Sequence, residues 1–321
     1  MRAVVLMSTH NGSAFVEPQL RSILQQDHED IRLFVRDDGS TDGTPDILRA
    51  VAEDPRVQLL LGTRLGLPQA FFELMRIAPD DADAYLFSDQ DDVWHRDKIS
   101  VAARHLAELT DTRPALYFSR LNLVAHDLRP IAISPSWTYP PAFGNALIEN
   151  ICTGCTSAFN RSALDLLRMT TTTEGIIHHD WWLYLVASAF GETVFDQTSH
   201  IEYRIHGGNA VGLPDNPIEN QFRRIMRAGP SRRFAALLHQ AQAFARTYGD
   251  GLAPDNLGML NRFLALAANR QAAFQLIADR TILRQRQADD ALWRLGLLLY
   301  GCGLIRTSND RRAKPETAHR P

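Results

Sequence analysis

Tyr85-Leu-Phe-Ser-Asp-Gln-Asp-Asp-Val-Trp94 decides how the rest of this 321-residue chain is read. Tyr85, Leu86 and Phe87 form an apolar run that reads as the end of a buried strand. Three carboxylates follow at once: Asp89, Asp91 and Asp92. Carboxylates gathered at the end of a buried strand repel one another and lose hydration. They persist where a cation or a set of hydrogen-bond donors sits between them. A hard divalent ion carrying a diphosphate meets that demand. A solvated acidic turn is the plainer alternative, since loops are polar in any protein.

The N-terminal segment narrows the choice. Ala3-Val-Val-Leu-Met7 is a short apolar run closed by the turn-rich Ser8-Thr-His-Asn-Gly12. Ile31-Arg-Leu-Phe-Val35 alternates as a strand and runs into Arg36-Asp-Asp-Gly-Ser-Thr-Asp-Gly-Thr44. The segment from Pro45 to Ala52 is predicted helical, with Thr44 as its N-cap and Pro45 at its first position. Strand, polar loop, helix, strand is a βαβ pattern, so an α/β fold is expected. All three loops then lie at the carboxyl ends of parallel strands, where open α/β sheets bind ligands. Two acidic loops converging there point to a nucleotide carried with a metal.

Six motifs in order over residues 1–212 resemble the family-two inverting glycosyltransferases, and within them the bacterial rhamnosyltransferases of polysaccharide assembly. They are Ser8 to Gly12, Asp37 to Thr44, Phe87 to Trp94 with Lys98-Ile99, Asn150 through Gly154-Cys-Thr156, His179-Asp-Trp-Trp182, and Tyr203-Arg-Ile-His-Gly-Gly-Asn209. The resemblance implies the A-type glycosyltransferase fold, a Rossmann-like α/β/α sandwich on a mostly parallel sheet, with a C-terminal helical extension. It implies a dTDP- or UDP-sugar donor, with L-rhamnose from dTDP-rhamnose expected, and a saccharide or polyprenyl-linked acceptor. The expected cofactor is Mg2+ or Mn2+.

Sugar transfer from a nucleoside diphosphate needs the leaving diphosphate held and neutralised, a base for the acceptor hydroxyl, and both fixed in line across the anomeric carbon. Asp89 and Asp91 are the metal-site candidates, with Asp92 as a substitute; the resemblance gives this motif the donor ribose and the ion. Asp38 is the candidate for the donor's base or ribose, with Asp37 as its structural neighbour. Asp42 reads either as a site residue or as a helix N-terminal charge. Thr9 and Asn11 are expected to shape the nucleoside pocket; Arg64 and Gly66 are weaker candidates there. Asp180 is the candidate general base, because an acid beside Trp181 and Trp182 loses solvation and its pKa rises. A helix N-cap is the other reading of Asp180. His178 and His179 read as acceptor-site or packing residues. In a strand Arg204 and His206 share a face; Arg204 is expected to grip the diphosphate. The resemblance makes His206 a third metal ligand.

Composition excludes other classes. With 45% hydrophobic and 22% charged residues the chain is ordinary globular protein. The net charge of −3 hides an asymmetry: residues 1–219 hold 17 Lys+Arg against 30 Asp+Glu, and residues 220–321 hold 17 against 7. Three cysteines, Cys152, Cys155 and Cys302, fit a reducing compartment. Cys152-Thr-Gly-Cys155 lacks the second pair a zinc site needs and reads as packing. No secretory leader is recognisable, and the longest apolar run, Leu295–Ile305, falls short of a membrane span. A cytoplasmic location is expected, peripheral to the inner membrane if the chain touches lipid.

Residues 1–213 are expected to form the catalytic domain, 218–305 a helical extension broken near Pro230 and near Gly249–Pro254, and 306–321 a disordered tail. Short strands are predicted at 115–119, 122–124, 193–195 and 201–204, and helices at 97–109 and 181–190. Arg223, Arg224, Arg227, Arg232 and Arg233 form a basic cluster, but aromatic interleaving is sparse and the pI of 6.4 argues against nucleic acid. Residues 282–305 read either as a core or dimer helix or as an interfacial membrane helix. Two rival functions remain. Asp89-x-Asp91-x-Val93 fits a haloacid-dehalogenase-like phosphatase, although that fold puts the motif on its first strand. A nucleotide-sugar-binding protein without catalysis is the other.

Overall fold

The computed structural model describes residues 1–109, 111–205 and 217–304, with the side chains of 217–232 outside the description. The chain divides into two compact units, residues 1–146 with 150–212, and residues 147–149 with 213–321.

The first unit opens with β1 (Ala3–Thr9), α1 (Val16–Leu24), β2 (Ile31–Asp38), α2 (Thr44–Val51), β3 (Val57–Gly62), α3 (Gln69–Ile77) and β4 (Ala84–Ser88). It continues through β5 (Val93–Trp94), α4 (Lys98–Ala107), β6 (Ala115–Val124), β7 (Pro130–Ile133), α5 (Phe143–Ala146) and a one-turn 3-10 helix at Gly154–Thr156. β8 (Ala158–Phe159), α6 (Arg161–Arg168), α7 (His179–Phe190) and β9 (Glu192–Arg204) complete it. Its strands form one nine-stranded sheet, ordered β3-β2-β1-β4-β8-β6-β9-β5 with β7 on β6. The long pairings, β3-β2-β1-β4 and β6-β9, are parallel, and the short joints at β8, β5 and β7 are antiparallel.

Register places the site. Thr9 lies opposite Asp37, Met7 opposite Ser88, and Asp38 opposite Gly62. The loops after β1, β2, β3 and β4 therefore leave the sheet along one edge. Both faces of these strands are apolar, as parallel strands covered by helices require. Ala3, Val5, Met7, Leu33, Val35 and Leu86 pack with α1, α2 and α4 residues such as Leu20, Leu48 and Ile99. Phe87 on the opposite face meets Phe71 of α3 and Phe159. Each such side chain contributes about 1.5–3 kcal/mol by burial. α7 is apolar nearly all round and is correspondingly buried, from Trp181 to Ala187.

Three local expectations are corrected. The short strands at 115–119 and 122–124 are one strand, β6, and those at 193–195 and 201–204 are one strand, β9; register shifts near Ser119 to Asn122 interrupt the pairing without ending either strand. Thr44 is not the N-cap of α2 but its first residue, after Gly43. Asp42 accepts from Thr44 N at 3.0 Å and from its hydroxyl at 2.5 Å, so its carboxylate serves the helix start.

The second unit is helical: α8 (Pro217–Tyr248), α9 (Pro254–Leu264), α10 (Ala272–Ala278) and α11 (Gln287–Gly301). α8 runs through Pro230 where a break was expected; a proline removes one backbone bond and can bend a helix without ending it. The helix at the C-terminal end begins at Gln287, not near Ile282. Leu237, Phe244, Leu260, Phe263, Leu276, Leu297 and Tyr300 form the buried interior of this unit.

Candidate active site

Two adjacent aspartates at the end of β2 take different partners, because successive strand side chains point to opposite faces. Asp37 accepts from the Thr9 hydroxyl at 3.1 Å, from Ser40 N at 2.9 Å and from the Ser40 hydroxyl at 2.5 Å. It fixes the turn that follows, with Gly39 at φ +75°. Asp38 accepts from the N–H groups of Leu65 and Gly66, both at 2.7 Å, and pairs with Arg36. These partners hold its carboxyl below the ordinary range despite burial, which opposes them. Arg36, itself 3% exposed, also bonds Glu73 at 2.9 Å and the Thr63 carbonyl at 2.9 Å. Asp38 is thus a strut under the loop after β3, and Arg64 is exposed on that loop.

The loops after β1 and β4 are clamped together. Gln90 accepts from His10 N at 2.8 Å and donates to the His10 carbonyl at 3.1 Å. Gly12 leaves room for this amide; a Cβ there would meet Gln90 Oε1 at 2.3 Å. Asn11, exposed and at φ 48°, donates its N–H to Ser40 Oγ and accepts from Thr41 N, both at 2.8 Å. Thr9 is 1% exposed and is spent on Asp37 and the β2 backbone. It therefore ties the end of β1 to the end of β2.

The acidic loop joins a cluster in which Asp92 and Cys155 are buried and Asp89 is half-buried. One ligand atom each from Asp89, Asp92 and Cys155 falls within 4.8 Å of the others. Burial, then the charges of Asp91 and Asp180, push Asp89 up to about 7. Burial and the charges of Asp89 and Asp91 push Asp92 well up. Its Oδ2 has no partner among the described residues. Lys98 at the start of α4 is 2% exposed, sits over the Trp94 ring at 4.8 Å, and is pushed down to about 8 by burial, against the pull of Cys155, Asp92 and Asp97. Arg204 ties the loop from the side: its Nε donates to the Asp91 carbonyl at 2.8 Å, its backbone N–H to Asp92 at 3.3 Å, and Nη1 to the His126 carbonyl. The guanidinium is thus engaged with backbone carbonyls and stacks over Phe15 at 4.9 Å.

The donor set fits a hard divalent ion. Crowded carboxylates with raised pKa values and an orphaned buried oxygen are what a cation would relieve. The Cys155 thiol, pushed well up by burial and by Asp92 and Asp89, stays protonated and is a poor partner for such an ion. Asp91, 8% exposed, belongs to the same loop. His206, expected as a third ligand, lies outside the described residues.

Asp180 is the second residue of α7, so it is not the N-cap; that position belongs to His178. Its Oδ2 accepts from Gly154 N at 2.9 Å and its Oδ1 from Trp181 N at 2.6 Å. Burial pushes its pKa up, against His178, these two N–H groups and the Asn150 side chain. Its charge in turn bears on Asp89, so α7 brings this carboxylate up to the acidic loop. His179 is a packing residue: it stacks on Phe71 at 3.7 Å between centroids and meets Phe87 edge-on. Burial pushes its imidazole down to about 3, so it is neutral.

Sequence reasoning gave no role to Gln90, Arg36 or Gly154, and read Cys155 as packing. Gln90 occupies the middle of the Asp-x-Asp motif and Gly154 stands in a quoted motif; their partners His10 and Asp180 are 80 and 26 residues away, and no local pattern reveals them.

The half-buried Asp180 bears electrostatically on Asp89 in the acidic cluster that follows β4, at the carboxyl ends of the parallel strands. The profile described as "Glycosyl transferase family 2" matches residues 4–167, and the chain belongs to that family. It is therefore a glycosyltransferase; an inverting mechanism is typical of the family. It is 28% identical over 224 residues to the dTDP-rhamnosyl transferase RfbG of Shigella flexneri, covering 64% of this chain and 73% of that one. It is 30% identical over 150 residues to the putative teichuronic acid biosynthesis glycosyltransferase TuaG of Bacillus subtilis (strain 168), covering 45% and 58%. Its fold is similar to S. aureus TarS 1-349 in complex with UDP-GlcNAc, with a TM-score of 0.59 at 14% identity over 94% of this chain and 81% of that one. A second likeness is to the mannosyltransferase PcManGT of Pyrobaculum calidifontis in complex with GDP-Man and Mn2+, with a TM-score of 0.50 at 20% identity over 98% and 88%. Family membership sets the phosphatase reading aside, and the motif stands on the fourth strand, not the first.

Proposed function

We propose that the protein transfers L-rhamnose from dTDP-rhamnose to a saccharide or polyprenyl-linked acceptor in polysaccharide biosynthesis, by inversion and with a divalent metal. The observation that carries the transfer chemistry is the half-buried Asp180, strapped to Gly154 and electrostatically within reach of Asp89. The resemblance to a dTDP-rhamnosyl transferase supports the sugar. Work beside the cytoplasmic face of a membrane follows from a lipid-linked acceptor.

Asp89 and Asp91 would hold the ion, Mg2+ or Mn2+, with His206 as a third ligand, and the ion would supply positive charge against the departing diphosphate. Thr9, Asn11 and Asp38 build the nucleoside pocket, Asp38 by fixing the backbone of Leu65 and Gly66 beside it. Arg204 acts on the donor by fixing the acidic loop's backbone. Asp180 takes the proton of the acceptor hydroxyl as its oxygen attacks the anomeric carbon and the C–O bond to the diphosphate breaks. A single displacement inverts the anomeric centre.

The test presents dTDP-rhamnose, UDP-sugars and GDP-mannose side by side, with Mn2+ and with excess chelator, and follows product by NMR. Inverted product from dTDP-rhamnose, lost in chelator, is expected. Retention, or full turnover in chelator, contradicts the mechanism. A faster dTDP- or UDP-hexose reaction corrects the sugar alone. Donor binding without transfer or hydrolysis would make the protein a non-catalytic nucleotide-sugar binder.

A further inference from the structure

We propose that Asp89, Asp92 and Cys155 form a second, thiolate-bearing cation site, which takes a thiophilic divalent ion such as Zn2+ and, by claiming Asp89, excludes the hard ion of the transfer reaction. One ligand atom from each of the three lies within 4.8 Å of the others, and no other three His, Cys, Asp or Glu side chains among the described residues are gathered so closely. The carboxylates come from the loop after β4 and the thiol from the 3-10 turn at Gly154–Thr156. Asp92 and Cys155 are buried, and the half-buried Asp89 opens the cluster to solvent. Asp92 supplies an independent sign of a ligand site. Its Oδ1 accepts the Arg204 N–H at 3.3 Å, while its buried Oδ2 has no hydrogen-bond partner among the described residues. The Cys155 thiol lies against both carboxylates but brings one weak donor to the pair. A carboxylate oxygen out of reach of water and of donors calls for a cation.

The sulfur selects the ion. Mg2+ and Mn2+ take oxygen ligands and leave a neighbouring thiol protonated. Zn2+ accepts carboxylate oxygen and thiolate in one shell. On binding, the S–H bond of Cys155 breaks, its proton goes to solvent, and a metal–sulfur bond takes its place with no change of oxidation state. Two carboxylates and one thiolate supply three of the four ligands of a tetrahedral ion, and the fourth falls to water arriving past Asp89. The two cation sites differ in their second carboxylate, Asp92 here and Asp91 for the hard ion, and share Asp89. A thiophilic ion therefore acts as a competitor of Mg2+ or Mn2+. Binding stands on the cluster alone; the inhibition rests on the transfer function proposed above.

Co2+ reports the ligand set directly, because thiolate bound to Co2+ gives an intense charge-transfer band in the near ultraviolet that oxygen ligands do not give. The metal-free full chain is titrated with Co2+ alone, then with Zn2+. A band that saturates at one Co2+ per chain and that Zn2+ abolishes is expected. Cys155→Ser should remove the band and weaken Zn2+ binding, read by calorimetry, by about a hundredfold or more, while Mn2+ affinity stays nearly unchanged. Cys302→Ser, which alters the exposed cysteine, should leave the band intact. Circular dichroism checks each fold; if Cys155→Ser does not fold, Asp92→Asn decides, and Co2+ affinity undiminished in that variant overturns the site. Absence of the band in the unaltered chain overturns it too, as does a band that survives Cys155→Ser, and the thiol is then a hydrogen-bond donor to the carboxylates. In the transfer assay Zn2+ should inhibit and excess Mn2+ should relieve it. Zn2+ that binds with the band's signature but leaves Mn2+ binding untouched overturns the competition. A chain without transfer activity fails the function proposed above and still shows the band.

Discussion

Asp180 Oδ2 accepts the Gly154 N–H at 2.9 Å, which ties the first turn of α7 to the 3-10 turn at Gly154–Thr156. The same carboxylate accepts Trp181 N at 2.6 Å. Two fixed donors hold this carboxylate at one place and oppose the rise in pKa that burial imposes.

Little room remains at Gly154. A Cβ there would meet His179 Nε2 at 3.0 Å and Asp180 Cβ at 3.4 Å, and His179 is itself stacked on Phe71. Gly154→Ala should destabilise the fold by about 1–3 kcal/mol through overpacking. It should slow the chemical step by roughly tenfold or more through displacement of Asp180. Thermal melting and single-turnover transfer check both; an unchanged rate would show that Asp180 need not sit where Gly154 holds it.

The strut at Asp38 makes a second expectation. Asp38→Ala removes the acceptor of two backbone N–H groups and the buried partner of Arg36. Stability should fall by about 2–4 kcal/mol. Donor affinity should fall with it, because the proposed nucleoside pocket includes the loop after β3. Chemical denaturation and calorimetry with dTDP are the checks, and unchanged donor affinity would confine Asp38 to a structural role.

Metal binding should be coupled to pH with a definite sign. Asp89 is pushed up to about 7, first by burial and then by Asp91 and Asp180. An unfolded aspartate titrates near about 3.9. Between these values the native state keeps a proton that the unfolded chain has released, so metal-free stability falls as pH rises through that window. An ion that binds the carboxylate form offsets the loss. Mn2+ should raise Tm at about pH 8 and leave it nearly unchanged at about pH 4. Asp91→Asn should abolish the shift. Equal shifts at both pH values, or a full shift in Asp91→Asn, would contradict the metal assignment.

Much of this was readable before any coordinates. β1, β2 and β4 announced themselves as apolar runs ending in polar turns, and the register of parallel strands brings such ends to one edge. The continuity of β6 and β9 was hidden, because Ser119–Asn122 and Asp196–Ser199 read as breaks while the sheet absorbs them as bulges. The pair Asp37-Asp38 was visible, but not which partner each would take, since that depends on Thr9 and Leu65, brought near only by the fold. Lys98 stood in the sequence as a surface-type residue four positions after Trp94; its burial over that ring is a tertiary fact.

The most direct test of the account is a paired measurement on Asp180→Asn: donor binding by calorimetry and single-turnover transfer on one preparation. Loss of the base should slow the chemical step by roughly 10²–10⁴-fold while donor affinity stays nearly unchanged. Donor affinity lost in step with rate, or a rate that survives the substitution, would contradict the assignment of Asp180 as the group that takes the acceptor's proton.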